Sequence, residues 1–496
     1  MTRCEDSNRE SSAHVQACMV ASFKTVPTLA LLLLAACGDG PSLGSAEAAG
    51  PAQLNARLLP LMDSAGVPGL AMAVVRSAGV TWSGGFGVHG VDDPRAVTDS
   101  TVFEAASLSK PVFAYIVLKL ADKGLLELDE PLAAYAPLAG LWDPRGERIT
   151  ARMVLSHTSG LPNELHLGET LELAFDPGSG FRYSGEGYAY LQRVVEHRTG
   201  RPLDDLAGEL VFRPLGMTRS SFVWNERFGS DAALGHGAGW LPRRPGHPRE
   251  ARAPSSLHTT VADYGRFVAA ILEGRGLSVA SASEMVSSQA AASSGVVWGL
   301  GWALEESESP SALWHWGDNS NTGFTAFVMI SRARREGIVW LANSASGLSL
   351  AAPLLEITHL GLPVRLDSLG YERYNDPRRL VREDLDRIAA DRGAPAALAV
   401  HARLRSQLPR DRFDERLLNV LGYRMLERGR LDEAVQLFQA NVELYPASGN
   451  VYDSLGEALM AAGDEEAAIA NYRRSLRLDP ANRNAVEQLR RLGAVP

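Results

Sequence analysis

Ser107-Leu108-Ser109-Lys110 opens an amphipathic segment of the chain. Behind it, apolar side chains recur at helical spacing until Lys123-Gly124 supplies a basic last turn and a glycine stop; they are Phe113, Ile116, Val117 and Leu120. Residues three positions apart share one face of a helix, so the Lys110 amine can approach the Ser107 hydroxyl. The first turn of a helix also favours developing negative charge. The spacing therefore predicts a serine nucleophile, activated by a lysine, at a helix N-terminus.

Two more short motifs follow along the chain. Tyr183-Ser184-Gly185 lies within Phe-Arg-Tyr-Ser-Gly-Glu-Gly-Tyr, and His315-Trp316-Gly317 lies within Trp-His-Trp-Gly-Asp-Asn. Together with Ser107-x-x-Lys110, they resemble the motifs of the serine β-lactamase and penicillin-binding-protein superfamily, above all its class C β-lactamase-like branch. That branch also contains esterases and D-amino-acid peptidases, and it uses Ser-x-x-Lys, Tyr-x-Asn and Lys/His-x-Gly elements. The resemblance covers roughly residues 51–355.

The resemblance implies an α/β fold of the β-lactamase/transpeptidase type over residues 51–358. Helices would flank an antiparallel sheet, the middle of the chain would form a helical subdomain, and Ser107 would lie between the two. Apolar runs bounded by turn residues predict strands in four places, of which the third contains a hairpin: Val67–Val75, Val80–Val88, Leu313–Met329 and Gly337–Asn343.

The catalytic roles concern four residues. Ser107 would attack a carbonyl carbon, and a neighbouring base must take its proton. A neutral, desolvated Lys110 could be that base, or a cationic Lys110 could lower the pKa of Tyr183 toward the phenolate. The sequence leaves both alternatives open. His315, in the third motif, would line one wall of the site.

By resemblance, the backbone N–H groups of Ser107 and Asp318 would form an oxyanion hole, and Gly185, Trp316 and Gly317 would contact the substrate. Gly185 departs from the superfamily pattern, which has an amide side chain there. Another side chain must replace that amide, or the rate and the substrate range must differ. His157, in Leu-Ser-His-Thr-Ser-Gly-Leu-Pro, is interpreted as a structural turn residue.

These features predict an exported serine hydrolase that acts through an acyl-enzyme on Ser107. A histidine followed closely by a carboxylate makes the third motif unattractive to anionic substrates, so esters and amides are favoured over β-lactams. The alternative is a catalytically weakened scaffold that binds a partner, which the glycine at position 185 makes credible. We expect no metal, because the sequence has no His-Glu-x-x-His and no paired Cys-x-x-Cys pattern, and we expect no cofactor.

The N-terminal segment predicts export. Val26–Ala36 is an apolar run too short to span a bilayer, and it leads into Leu34-Ala35-Ala36-Cys37, which resembles a bacterial lipoprotein cleavage box. Residues 1–37 would be the signal peptide, with a true start possible at Met19, and Cys37 would carry the lipid. Residues 38–50 would form a flexible tether to the membrane.

The C-terminal segment contains an internal repeat. Five pairs of similar residues lie 34 positions apart, the period of tetratricopeptide repeats: Gly422/Gly456, Gly429/Gly463, Ala434/Ala468, Phe438/Tyr472 and Pro446/Pro480. We therefore expect an all-α repeat solenoid over residues 411–496, with Arg483–Leu492 as a terminal cap. Residues 359–410 would provide a linker and a degenerate helical pair. The solenoid could bind a protein partner or only pack on the hydrolase, and the sequence does not choose.

Composition limits the partners further. The chain has 496 residues, of which 45% are hydrophobic and 22% charged, as in soluble globular proteins with two or three domains. Its net charge of −9 argues against a nucleic-acid partner.

Overall fold

The computed structural model describes residues 51–77, 79–138, 140–165, 170–237, 240–306, 312–358 and 377–495. The predicted signal peptide, the lipidation residue Cys37, the tether and residues 359–376 of the linker lie outside this range. No helix in the described ranges is long and apolar enough to cross a membrane.

The sheet of the hydrolase region is antiparallel throughout. The strands of this region are β1 (Gly69–Arg76), β2 (Gly79–Gly90), β3 (Asp93–Ala96), β4 (Phe103–Glu104), β5 (His258–Thr259), β6 (Ala290–Ser293), β7 (Val296–Trp298), β8 (Ala303–Glu305), β9 (Ala312–Asn319), β10 (Phe324–Ser331) and β11 (Glu336–Ala342). Across the described residues, nine of them form one sheet in the order β3-β2-β1-β11-β10-β9-β8-β7-β6, and β4 pairs with β5 alone. The predicted strands are confirmed: Val67–Val75 and Val80–Val88 correspond to β1 and β2, Leu313–Met329 contains the β9–β10 hairpin, and Gly337–Asn343 corresponds to β11.

Helices cover both faces of the sheet. The helices of the hydrolase region are α1 (Pro51–Ala65), α2 (Ser109–Asp122), α3 (Ala151–Leu155), α4 (Gly185–Thr199), α5 (Leu203–Ala207), α6 (Arg213–Leu215), α7 (Val261–Glu273), α8 (Val279–Met285) and α9 (Ala351–Ile357). In β1, Ala71, Ala73 and Val75 face the core that contains α2 and α7, whereas Leu70 and Met72 face the core that contains α1 and α9. Strand β1 is therefore buried on both faces, which explains its nearly continuous apolar sequence.

The C-terminal region is all-helical. It comprises α10 (Pro377–Arg392), α11 (Ala394–Gln407), α12 (Glu415–Glu427), α13 (Leu431–Leu444), α14 (Gly449–Ala461), α15 (Glu465–Leu478) and α16 (Arg483–Arg491). Helices α12 and α13 cross closely where Gly422 meets the Phe438 ring, and α14 and α15 cross where Gly456 meets the Tyr472 ring. The helical pair expected before the repeats is α10 with α11, and the terminal helix is α16. Assignment of these helices to the tetratricopeptide class stays a prediction.

The helical region packs on the hydrolase region through α10. Asp384 of α10 is fully buried and forms an ion pair with Arg243, whose side chain is 4% exposed. Leu241 and Ala345 belong to the same apolar cluster as the C-terminal helices. At least the first of these helices therefore packs against the hydrolase region.

Candidate active site

The predicted nucleophile lies in a tight turn. Ala106 adopts a left-handed backbone conformation, with φ of 49°, and begins a one-turn 3₁₀ helix that ends at Leu108, directly before α2. Ser107 was predicted at the helix N-terminus, and in the structure it lies two residues before the first residue of α2. The turn is held by Ser109, whose hydroxyl donates to the Ala106 carbonyl (2.6 Å) and accepts from Leu257 N–H (3.0 Å). Non-glycine residues in this conformation are uncommon and cluster at functional sites.

The Lys110 amine contacts the Ser107 hydroxyl, as the spacing predicted. Its Nζ atom lies 3.0 Å from Ser107 Oγ and donates a second hydrogen bond of 2.9 Å to the Pro254 carbonyl. Lys110 is 1% exposed. Burial lowers the pKa of Lys110 to about 7, against an opposing contribution from the Glu164 carboxylate. Near neutral pH a large fraction of this amine is therefore uncharged and able to accept a proton.

Tyr183 lies against the same amine. Its ring centroid is 4.7 Å from Lys110 Nζ. Its ring centroid lies 4.3 Å from that of His157 and 5.2 Å from that of Trp316, on which the Tyr183 ring stacks. Ser184, the next residue, caps α4 by accepting a hydrogen bond of 2.8 Å from Gly187 N–H. The phenol is thus fixed between a helix start and a sheet strand, beside Lys110.

Two buried histidines flank Tyr183 in opposite tautomers, as assigned from their partners. His315 Nδ1 lies 2.7 Å from the Trp316 carbonyl, so Nδ1 carries the hydrogen and Nε2 is an acceptor. His157 Nδ1 accepts from Ser184 N–H at 3.0 Å, so its hydrogen is on Nε2. Burial, reinforced by Lys110, lowers the pKa of His315 to about 3 and that of His157 well below its usual value. Both rings are therefore neutral, and His157 has the structural contact that the sequence suggested.

Strand β9 passes directly beside the nucleophile. A Cβ atom at Gly317 would lie 2.4 Å from the Ala105 carbonyl and 3.2 Å from Ser107 N, so only glycine allows this approach. Within the described part of the chain, strand β8 pairs with β9 at Leu313 and Trp314, and the later part of this edge of β9 lies beside the Ser107 turn. The backbone that leads into Asp318 is therefore in place beside Ser107.

Gly185 is the first residue of α4 and has no room for a side chain. A Cβ atom there would lie 2.4 Å from the backbone carbonyl oxygen of Asn163, which accepts a 3.2 Å hydrogen bond from Gly185 N–H. The Asn163 side-chain oxygen lies 3.3 Å from the same Cβ position. A carboxamide from another segment therefore stands beside the residue where the superfamily pattern has one. No sequence pattern points to Asn163, because only the fold brings it to Gly185.

Other residues of the site also escaped the sequence analysis. Pro254 supplies a carbonyl to Lys110, Glu164 acts on the Lys110 amine by its charge, and Glu104 anchors the turn after β9. None belongs to one of the three motifs. Within the described ranges, no group of three or more His, Cys, Asp or Glu side chains is arranged to hold a metal ion.

Comparison with known proteins identifies the family of the hydrolase region. The Beta-lactamase family model matches residues 54–359. Penicillin-binding protein 4 of Amycolatopsis lactamdurans is 30% identical over 47% of this chain and 70% of its own length. Esterase EstB of Burkholderia gladioli is 28% identical over 58% of this chain and 75% of its own length. Protein flp of Staphylococcus aureus (strain MRSA252) is 24% identical over 56% of this chain, which spans only 60% of that relative.

Solved structures show the same fold. A class C beta-lactamase superposes with a TM-score of 0.55 at 20% identity, covering 63% of this chain and 96% of its own. The octameric penicillin-binding protein homologue from Pyrococcus abyssi superposes with a TM-score of 0.54 at 21% identity, covering 68% of this chain and 81% of its own. With its matching family model and its antiparallel sheet, the chain belongs to the beta-lactamase family.

Proposed function

We propose that the protein is a serine hydrolase that forms an acyl-enzyme on Ser107, with Lys110 as the base. The observation that carries this proposal is the 3.0 Å contact between Lys110 Nζ and Ser107 Oγ in a setting that lowers the pKa of Lys110 to about 7. A base with a pKa near the working pH combines the correct protonation state with enough basicity to remove a hydroxyl proton.

The reaction then has two steps, acylation of Ser107 and hydrolysis of the acyl-enzyme. Neutral Lys110 takes the Ser107 proton while Oγ bonds to the substrate carbonyl carbon, and the leaving group departs with that proton. A water molecule next gives a proton to Lys110 and attacks the acyl ester, and Ser107 recovers its proton as the acid is released. The carbonyl oxygen carries negative charge in both steps. We assign its stabilisation to the backbone N–H groups of Ser107 and Asp318, at about 3 kcal/mol for such a donor.

Tyr183 and His315 shape the site around the base. The Tyr183 ring lies over the Lys110 amine, and a ring face stabilises the ammonium that forms when Lys110 accepts the proton. His315 adds no positive charge at neutral pH, because burial lowers its pKa to about 3. Trp316 and Gly317 would line the substrate side of β9. The Asn163 amide would act beside Gly185, at the start of α4.

Neutral esters and amides suit this site better than anionic β-lactams. The third motif carries a neutral histidine and the Asp318 carboxylate, so it offers a substrate carboxylate no attraction. Similarity to an esterase and to a penicillin-binding protein supports acyl transfer but does not rank the substrates.

The test compares p-nitrophenyl esters of short acids, D-amino-acid amides and nitrocefin, with Ser107→Ala as the control. We expect ester or amide turnover that Ser107→Ala abolishes. Efficient nitrocefin turnover without ester or amide turnover would overturn the substrate preference.

We further propose that the protein is exported and anchored by a lipid on Cys37. The support is the apolar run that ends in Leu34-Ala35-Ala36-Cys37. Growth of an expressing bacterium with an alkyne fatty acid should label the full-length protein, and Cys37→Ser should remove the label. Labelling that survives Cys37→Ser would contradict the anchor.

The C-terminal helices have two candidate roles. The buried ion pair between Arg243 and Asp384 favours a structural extension of the hydrolase. The repeat period of 34 residues favours a partner-binding solenoid, and in the scaffold alternative this would be the main activity. Chemical cross-linking of the full-length protein in its cell envelope separates them, because only the second role predicts one recurring partner joined through residues 411–495.

A further inference from the structure

Glu104 is a buried carboxylate three positions before Ser107. It is 6% exposed and accepts hydrogen bonds from three residues far along the chain. Gly246 N–H donates to Oε1 at 2.9 Å, while Asn319 Nδ2 and the Thr322 hydroxyl donate to Oε2 at 3.0 and 2.7 Å. The Glu104 side chain therefore joins the segment that carries Ser107 to two other segments, the end of β9 and the loop that contains Gly246. We call these two segments the walls of the site.

The first of these walls is the end of β9. Asn319 is its last residue, and Thr322 lies in the turn to β10, where its hydroxyl also reaches the Asn319 carbonyl at 3.1 Å. Asn319 directly follows Asp318, whose backbone N–H is the proposed second donor to the oxyanion. The Glu104 carboxylate thus fixes this strand end relative to Ser107.

The second wall is the loop that orients Lys110. Gly246 lies in this loop, and Asn319 Nδ2 also approaches the Ser255 carbonyl, at 3.4 Å. The neighbouring Pro254 carbonyl accepts the hydrogen bond from Lys110. The same carboxylate therefore fixes both the strand beside the oxyanion and the carbonyl that orients the base.

The charged groups around Glu104 indicate that it affects the site by positioning other residues, and not by its charge acting on Lys110. His258 of β5 is the strand partner of Glu104 in the β4–β5 pair. Its ring nitrogens lie 3.0 Å from the Ser256 carbonyl and 3.2 Å from the Gly246 carbonyl. Burial lowers the pKa of His258, and the Glu104 carboxylate opposes that shift; His247 adds a smaller lowering. The carboxylate whose charge acts on Lys110 is Glu164.

We propose that Glu104 is a positioning residue for acyl transfer, because it holds the Asp318 backbone and the Pro254 carbonyl in place around Ser107 and Lys110. This inference rests on the proposed function. Misplacement of a reacting group by about 1 Å can cost about 100-fold in rate, so a residue that touches no substrate can still set the turnover number.

The test uses the full-length chain with Glu104→Gln, Glu104→Ala and Thr322→Val. Asp122→Asn is the matched control. The Asp122 carboxylate likewise accepts hydrogen bonds from a backbone N–H, that of Ser278 at 2.7 Å, and from a hydroxyl, that of Ser281 at 2.6 Å. It lies at the opposite end of α2 from Ser107. For each variant, kcat and KM with a p-nitrophenyl ester, the pH profile and the Tm are measured.

We expect Glu104→Gln to lower kcat about 10-fold and Glu104→Ala about 100-fold, with KM within about twofold of the wild type. The midpoint of the pH profile should move upward, because a displaced loop admits water to Lys110 and lets its pKa rise toward its usual value. Asp122→Asn should lower Tm while leaving kcat and the pH midpoint unchanged. A purely structural role for Glu104 would lower Tm without moving that midpoint.

Folded Glu104→Gln and Thr322→Val proteins with wild-type kcat and pH midpoint would overturn the inference, and they decide it even if Glu104→Ala does not fold. Reaction of wild-type Ser107 with a fluorophosphonate separates the two proposals. An inert wild-type Ser107 overturns both, whereas a reactive Ser107 with unaffected variants overturns only the positioning role.

Discussion

The Nζ atom of Lys110 donates a 2.9 Å hydrogen bond to the carbonyl oxygen of Pro254, 144 residues further along the chain. A neutral amine has two hydrogens and one lone pair. With one hydrogen directed at Pro254, the lone pair can face the Ser107 hydroxyl at 3.0 Å. The loop carbonyl therefore gives Lys110 the orientation that a base needs.

The pH dependence of acylation follows from Lys110. Burial lowers its pKa to about 7, so the amine is protonated and inactive as a base below that pH and neutral above it. The rate of Ser107 labelling by a fluorophosphonate should rise about tenfold per pH unit below the midpoint and level off above it. Glu164→Gln should move the midpoint downward, because the Glu164 carboxylate raises the pKa of Lys110. A midpoint above pH 9 in the wild type would contradict the lowered pKa of Lys110 on which its role as the base near neutral pH depends.

Replacement of His157 should affect both stability and the position of Tyr183. His157 adopts a φ of 58° and accepts the Ser184 N–H, so His157→Phe leaves that donor unsatisfied and should cost about 1–3 kcal/mol. His157→Asn should cost less, because asparagine retains an acceptor and tolerates this backbone region. Urea unfolding compares the two variants. Equal stability of both with the wild type would show that the Ser184 contact is unimportant.

Introducing a side chain at Gly185 should not improve the site. Gly185→Ala places a Cβ atom 2.4 Å from the Asn163 carbonyl oxygen, so the segment around Asn163 must move, at a cost of about 1–3 kcal/mol. We expect a lower Tm and slower ester hydrolysis. The control is Gly79→Ala, where a Cβ atom has no neighbour within 4 Å. Faster hydrolysis by Gly185→Ala at unchanged Tm would contradict this account of the position.

The ion pair between Arg243 and Asp384 provides a test of how the C-terminal helices are attached. Asp384→Ala leaves a buried guanidinium without its carboxylate and should lower the free energy of unfolding by about 3–5 kcal/mol. The double variant Arg243→Met, Asp384→Leu should recover most of that loss, since apolar pairs of similar volume often replace buried ion pairs. Chemical denaturation of the full-length chain measures both. An Asp384→Ala protein as stable as the wild type would argue against a fixed attachment.

The parts of the structure that could be predicted from sequence depend on local spacing. Ser107 and Lys110 are three residues apart on one turn, so their contact follows from helical geometry. The β9–β10 hairpin follows from two apolar runs around a Gly/Asn turn. The resemblance to the superfamily supplied the antiparallel sheet with flanking helices, which the strand order and the solved structures bear out.

The contacts that the sequence could not reveal join distant segments. Glu104 reaches Gly246 across 142 positions and Thr322 across 218, and no residue pattern links them. Asn163 stands beside Gly185 because its backbone carbonyl accepts the Gly185 N–H, which depends on the path of the chain. The low pKa of Lys110 also requires the burial that only the assembled core provides.

The proposed reaction depends on Ser107 as a nucleophile that Lys110 activates. Its most direct test is treatment of the full-length protein with a fluorophosphonate, followed by peptide mass analysis. We expect one adduct on Ser107 in the wild type and none in Ser107→Ala. In a folded Lys110→Ala protein, labelling should be slower by about 100-fold or more. A folded wild-type protein whose Ser107 stays unlabelled, or one whose labelling is unchanged by Lys110→Ala, would contradict the claim.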